Sequence, residues 1–175
     1  LGWELHPMIG DVEFLYDAIW NIGKEYGLVD FGLYAVNSLR IEKGYRGWGA
    51  ELTNEINMLE ADMKRFIDFD KQNFIGKEST LGQLSPNYKL IYFEVDAIDS
   101  DVRGGEPIFS GKDCVGVTTS GGYGYATNKS LGFGYVLPET VQPGIELFVD
   151  LLGERCPITI IKDAVYDSAN KRLKS

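Results

Sequence analysis

The chain has 175 residues, 44% hydrophobic and 25% charged, with a net charge of −9, which is enough for one large domain or two small ones. The acidic balance carries no compensating basic block, so a nucleic-acid backbone is excluded as the main partner, leaving room for a local basic pocket that takes a small acidic ligand. No apolar run reaches membrane-spanning length, and the two cysteines and single histidine make a poor zinc set and no disulfide framework.

The opening "WELH" alternates as a short strand, ended by Pro7 and Gly10. Its first residues leave no expendable leader, and the expectation is that a preceding part of the fold is missing. Asp11 is placed to cap a helix in which Val12, Leu15, Ile19 and Ile22 recur at helical spacing, with Gly27 as its stop. "GLYAVNSLRIEKG" predicts a second helix with Leu33, Val36 and Leu39 on one stripe and Gly44 at its C-terminus. The stretch from Tyr45 to Thr80 reads mostly as loop, with a short strand over "DMKRFIDF" and the start of a helix at "FIGKEST", capped by Asp70 or Asn73. "GQLSPN" punctuates a boundary near residues 82–88.

Beyond that boundary come "KLIYFEVD", "EPIFS", "DCVGVTTSGGYG", "SLGFGYVL", "IELFVDLL" and "CPITIIK", six extended segments divided by glycine, proline, aspartate and asparagine. Glycines inside them mark the bends of a small antiparallel barrel or sandwich. The class is therefore α+β: a partial α/β domain over 1–84, then a small antiparallel β-barrel over 85–175, with a frayed tail at "SANKRLKS". A lone strand with two helices cannot close a sheet layer, so exposed sheet edges predict pairing of chains into a homo-oligomer.

Among residues that carry chemistry, the glycines of "GGYGYATNKSLGFGYV" form neither a P-loop nor a dinucleotide fingerprint and read as tight bends; Lys129 and Ser130 could still line a cleft at the domain boundary. Glu51 and Glu55 read as a solvated acidic loop, Trp48 as a core residue, Lys43 as facing water, and both cysteines as small core residues. Two residues stand out. Glu4, between apolar neighbours, offers two oxygens to a ligand with adjacent N–H donors such as a pterin or guanine edge; the alternative is an edge glutamate in solvent. Arg40, on a helix among apolar residues, can hold a carboxylate bidentately; the alternative is an ion pair with Glu42 or Asp30.

"GLYAVNSLRIEKGYRGWGAELTNEINMLEADM" followed by "FIGKE" resembles the aminomethyltransferase family, that is, the glycine cleavage T-protein and its relatives. "KSLGFGYVLPE" and "LGERCPITIIKDAVYDSANKRLK" resemble the C-terminal barrel and tail of the dimethylglycine and sarcosine dehydrogenase branch, and the Trp48 and Arg46 of "LRIEKGYRGWG" favour that branch. The resemblance implies tetrahydrofolate as cofactor, with Glu4 on the pterin's amino-pyrimidine edge and Arg40 near the folate. It implies a one-carbon transfer in which a folate nitrogen captures an iminium carbon drawn from an N-methylated glycine derivative. The family's catalytic aspartate lies before Glu4 and matches no part of this chain, so no catalytic residue is assigned and the isolated chain is expected to be incomplete. FAD is implied only for a preceding flavoprotein domain. The location implied is cytoplasmic, or the mitochondrial matrix in a eukaryote. The competing readings are a folate-binding or assembly module without transfer activity, a T-protein or demethylase relative, and a fragment that merely folds.

Overall fold

The computed structural model describes residues 3–174. Two helices, α1 (Val12–Gly23) and α2 (Leu33–Glu42), precede a short helix α3 (Lys77–Leu81). Six strands follow: β1 (Lys89–Val95), β2 (Pro107–Ser110), β3 (Asp113–Gly124), β4 (Lys129–Val136), β5 (Leu147–Leu151) and β6 (Glu154–Ile161). The six extended segments expected from the sequence each overlap one of these strands, with β4 and β6 beginning one and two residues earlier than expected.

The strands close an antiparallel barrel in the order β1-β4-β3-β2-β5-β6, with β6 pairing back onto β1. Closure leaves every barrel strand with a hydrogen-bonded neighbour on both sides. The barrel interior is filled by Ile91, Phe93, Val95, Val102, Ile108, Val136 and Val149. Gly132 and Gly134 on β4 make room for two of them. A β-carbon at Gly132 would stand 2.8 Å from the Phe93 ring, and one at Gly134 would stand 2.7 Å from Ile108 Cδ1.

A second apolar layer lies outside the barrel. Leu90 and Tyr92 of β1 join Leu131, Phe133 and Tyr135 of β4 and meet Ile41 of α2. These two strands are therefore buried on both faces, which explains their unbroken apolar runs where a half-exposed strand would alternate. Tyr92 Oη donates to the Ile41 carbonyl at 2.9 Å, and burial pushes its phenol up to about 12.

The N-terminal part is helical. Residues 3–8 form no strand, because no neighbouring strand among the described residues offers them hydrogen-bonding partners. Asp11 occupies the N-cap position of α1 without a side-chain capping bond, and the chain leaves the helix through a short 3-10 turn ending at Gly27, φ +80°. "DMKRFIDF" forms turns around a 3-10 helix at Lys64–Phe66 rather than a strand. Gly76, φ +84°, precedes α3 in place of the expected Asp70 or Asn73 cap. The stretch just before the end expected to fray folds back onto α2. Tyr166 N donates to the Glu42 carbonyl at 3.0 Å, Lys43 Nζ meets Asp167 Oδ2 at 3.1 Å, and the turn continues as far as Lys174 N on Asn170 O. Ser175 of the predicted frayed end lies outside the described residues, as do Leu1 and Gly2.

Candidate functional site

Helix α2 carries four side chains that tie it to the barrel. Asn37 Nδ2 donates to the Gly121 carbonyl at 3.0 Å and Ser38 Oγ to the Tyr123 carbonyl at 2.7 Å, both on β3. Glu42 Oε1 accepts from the backbone N–H of Thr127 at 2.7 Å and from its hydroxyl at 2.8 Å, in the β3–β4 turn. Arg40, one turn beyond Asn37 on the same face, is the centre of the network. Its Nη1 donates to the Tyr45 carbonyl at 2.8 Å and to Glu51 Oε2 at 3.1 Å. Its Nη2 donates to Asn37 Oδ1 and, at 3.0 Å, to Ser120 Oγ.

Glu51 is the residue that the sequence misrepresents. Expected in a solvated loop, it is 0% exposed. Its Oε2 accepts from the Gly47 N–H at 2.7 Å and from Arg40; its Oε1 accepts from the hydroxyls of Thr119, at 2.6 Å, and Ser120. Its carbonyl accepts from Tyr135 Oη at 2.8 Å, where burial and the nearby carboxylates of Glu51 and Glu60 push the phenol well up. A strand turns successive side chains to opposite faces, yet adjacent Thr119 and Ser120 reach one carboxylate oxygen. The register shift between Thr118 and Ser120 against β4 makes this possible, because Thr119 is the extra residue of a bulge.

Beside this network lies an apolar cavity of about 530 Å³, a volume within the ordinary range for small-molecule sites. Phe31, Val36, Leu39, Tyr45 and Tyr166 line it, and Arg40 contributes its charge. The side chain of Arg40 is 18% exposed. Lys43, expected in water, borders the same cavity and is held by Asp167. Trp48, expected in the core, is 78% exposed, because the loop that carries it turns its neighbour Glu51, and not the indole, towards the barrel. The expected local basic pocket also has a counterpart. Lys43, Arg46, Arg65, Lys89 and Lys162 surround a separate cavity of about 370 Å³, with Asp62 and Asp163 among them; Arg46 is already paired with Asp62.

The two residues singled out in the sequence are not brought together around that cavity. Arg40 borders it; Glu4 is not among its lining residues. Glu4 lies in the irregular segment before α1, 87% exposed, with His6 Nε2 3.5 Å from its Oε2. The alternative reading of Arg40 as an ion pair holds with a different partner, Glu51 in place of Glu42 or Asp30. Lys129 pairs with Glu94, and Ser130 donates to Asp101 Oδ1 at 2.7 Å. Of the cysteines, Cys156 is buried and Cys114 is exposed. Among the described residues no cluster of three or more histidine, cysteine or acidic side chains has the geometry to hold a metal ion, and no helix is long and apolar enough to cross a membrane.

Comparison with known proteins places this geometry in context. Residues 1–71 match the GCVT N-terminal domain and residues 89–167 the glycine cleavage T-protein C-terminal barrel domain. The mouse mitochondrial dimethylglycine dehydrogenase is 41% identical over 99% of this chain, and the human one 41% identical over 93%. An aminomethyltransferase of Thermoanaerobacter pseudethanolicus is 31% identical over 98% of the chain. The chain spans 21% and 19% of the two dehydrogenases and 47% of the transferase. The crystal structure of the glycine cleavage system aminomethyltransferase T from Bartonella henselae superposes with a TM-score of 0.78 over 91% of this chain and 45% of that one, at 23% identity, and shares its fold. In sequence and in fold, the chain matches the aminomethyltransferase, or glycine cleavage T-protein, family and is related to the dimethylglycine dehydrogenases.

Proposed function

We propose that this chain forms part of a tetrahydrofolate-dependent one-carbon transfer module within a flavin-linked dimethylglycine or sarcosine dehydrogenase-like protein. The observation that carries the reading is the apolar, aromatic-walled cavity with Arg40 at its edge, in a chain 41% identical to dimethylglycine dehydrogenase over nearly all its length. Rings of Phe31, Tyr45 and Tyr166 suit a flat heteroaromatic ligand, and Arg40 gives it an orientation, the second cation at this cavity, Lys43, being held by Asp167. Tetrahydrofolate, when bound, supplies the nitrogen nucleophiles that take up the one-carbon unit. The contribution of this chain is to hold the ring system against apolar walls, to exclude water around it, and to fix one face of it with Arg40.

Glu4 is assigned to the pterin edge of the assembled protein. At 87% exposure it stands ready for a partner surface, and its role depends on enclosure by sequence beyond the described residues. FAD is assigned to sequence outside this chain, where an N-methylated glycine derivative would be oxidised. The domain division at residues 84 and 85 and a mitochondrial location, by analogy with the mouse and human relatives, belong to the same proposal.

The test uses the full-length protein turning over sarcosine or dimethylglycine, with release of free formaldehyde as readout. Tetrahydrofolate is expected to suppress that release, and Arg40→Met to restore it by about tenfold or more with the rate of amine oxidation unchanged. Formaldehyde release indifferent to tetrahydrofolate in the unaltered protein contradicts the proposal.

A further inference from the structure

We propose that Glu51 is a positioning residue that locks Arg40, so that this arginine meets its ligand through one fixed N–H and a flat cationic face and not as a two-pronged fork. The inference rests on the folate reading above and adds to it which end of the ligand Arg40 recognises. A guanidinium has five N–H donors, and bidentate capture of a carboxylate takes two of them in parallel. Four acceptors already meet the Nη atoms: the Tyr45 carbonyl and Glu51 on Nη1, Asn37 and Ser120 on Nη2. Among the described residues Nε–H alone has no acceptor. The arrangement is over-determined. Ser120 accepts from Arg40 and donates to Glu51, and the Glu51 carboxylate is itself held by Gly47, Thr119 and Ser120.

Two consequences follow for recognition. The Glu51 carboxylate, fully buried at 3.1 Å, compensates the Arg40 charge, so long-range attraction for an anionic ligand is weak at this edge of the cavity. What remains is a single donor and the face of a rigid guanidinium beside aromatic walls, which suits a neutral carbonyl or ring nitrogen and a stacked π-system. Arg40 is thereby assigned to the neutral ring portion of a folate, and the anionic glutamate end is left to other groups.

The experiment measures binding of tetrahydrofolate and of 6-methyltetrahydropterin, which lacks the benzoylglutamate end, to the full-length protein. Arg40→Met is expected to weaken both ligands by the same factor, about tenfold. Glu51→Gln is expected to weaken both similarly in the unaltered background and to have no further effect in an Arg40→Met background, the signature of a residue that acts through another. A loss confined to tetrahydrofolate would mean that Arg40 grips the carboxylate end and would overturn the inference, as would an additive effect of Glu51→Gln. Should Glu51→Gln fail to fold, Ser120→Ala, which removes the hydroxyl between the two charges, carries the same comparison. A ligand-free arm separates this inference from the folate reading. Nitrogen-15 NMR of the arginine side chains is expected to show slowly exchanging Arg40 Nη protons that become averaged in Glu51→Gln or Ser120→Ala. No binding of either ligand to the unaltered protein sinks the folate reading while that signal still decides the lock; freely rotating Nη groups in the unaltered protein sink the lock itself.

Discussion

The barrel and the first helix are both rich in apolar residues and meet opposite fates. Phe93 on β1 is 0% exposed and sits among side chains from both sheet directions, whereas Phe14 on α1 is 76% exposed and the helix has no buried residue at all. Trp3, Met8, Ile9, Leu33 and Tyr34 around it are likewise open. An amphipathic helix owes most of its stability to the surface that its apolar face covers. The barrel is self-sufficient because closure satisfies its backbone and its interior fills itself. Helix α1 has the pattern for burial without a surface to bury against among the described residues. Between the two lies α2, whose polar side chains are already engaged with β3 and the β3–β4 turn, and it is at this transition that the cavity and Arg40 are found.

The largest test of that contrast is truncation. Phe93→Ala is expected to cost about 3–5 kcal/mol in denaturant unfolding of this chain, and Phe14→Ala no more than about 0.5 kcal/mol, as for an exposed position. Equal losses would break the comparison. Filling in place of emptying sharpens it. Gly132→Ala drives a methyl to 2.8 Å from the Phe93 ring and is expected to destabilise by about 1–3 kcal/mol. The layer between α2 and the barrel comes next. Tyr92→Phe removes one hydrogen bond to the Ile41 carbonyl and leaves that acceptor buried, for an expected loss of about 1 kcal/mol in the same unfolding experiment.

The smallest effect is a pH dependence at the loop before β2. Burial raises the Glu106 carboxyl pKa, but donation from the Thr118 hydroxyl and the N–H groups of Arg103, at 3.0 Å, and Gly104, at 2.9 Å, outweighs it and holds the carboxyl below its usual range. A carboxylate held low when folded stabilises above its unfolded pKa and loses that contribution as pH falls through the folded one. Melting temperature followed downwards from about pH 5 is therefore expected to fall faster in the unaltered chain than in Glu106→Gln. Parallel curves would show that the three donors contribute nothing.

How much of this was legible beforehand follows the same division. The strands of the barrel announce themselves because glycine, proline and aspartate separate short β-rich runs, and the helices α1 and α2 because their apolar spacing is regular. The loop from Tyr45 to Asp62 has no period, so nothing local says that Glu51 is buried and Trp48 is not. That outcome is set by the extra residue in β3, which aims Thr119 and Ser120 at one point 68 and 69 residues away in sequence. A pair of adjacent hydroxyl residues next to glycines, as in "TTSGG", is the one available hint of such a bulge. Glu4 stood out as a carboxylate between apolar neighbours, but that short pattern does not say what surrounds it, and the side chain is 87% exposed. Arg40 was legible as a charged residue out of place on an apolar helix, but its partner was not, because Glu51 is brought to it by the loop and not by helical spacing.

The central claim is that the cavity beside Arg40 receives a reduced folate. Calorimetric titration of the full-length protein with tetrahydrofolate, repeated with Arg40→Met, measures it directly. Saturable one-to-one binding that weakens about tenfold or more in the variant is the predicted result; the same affinity in both proteins, or no heat in either, would contradict it.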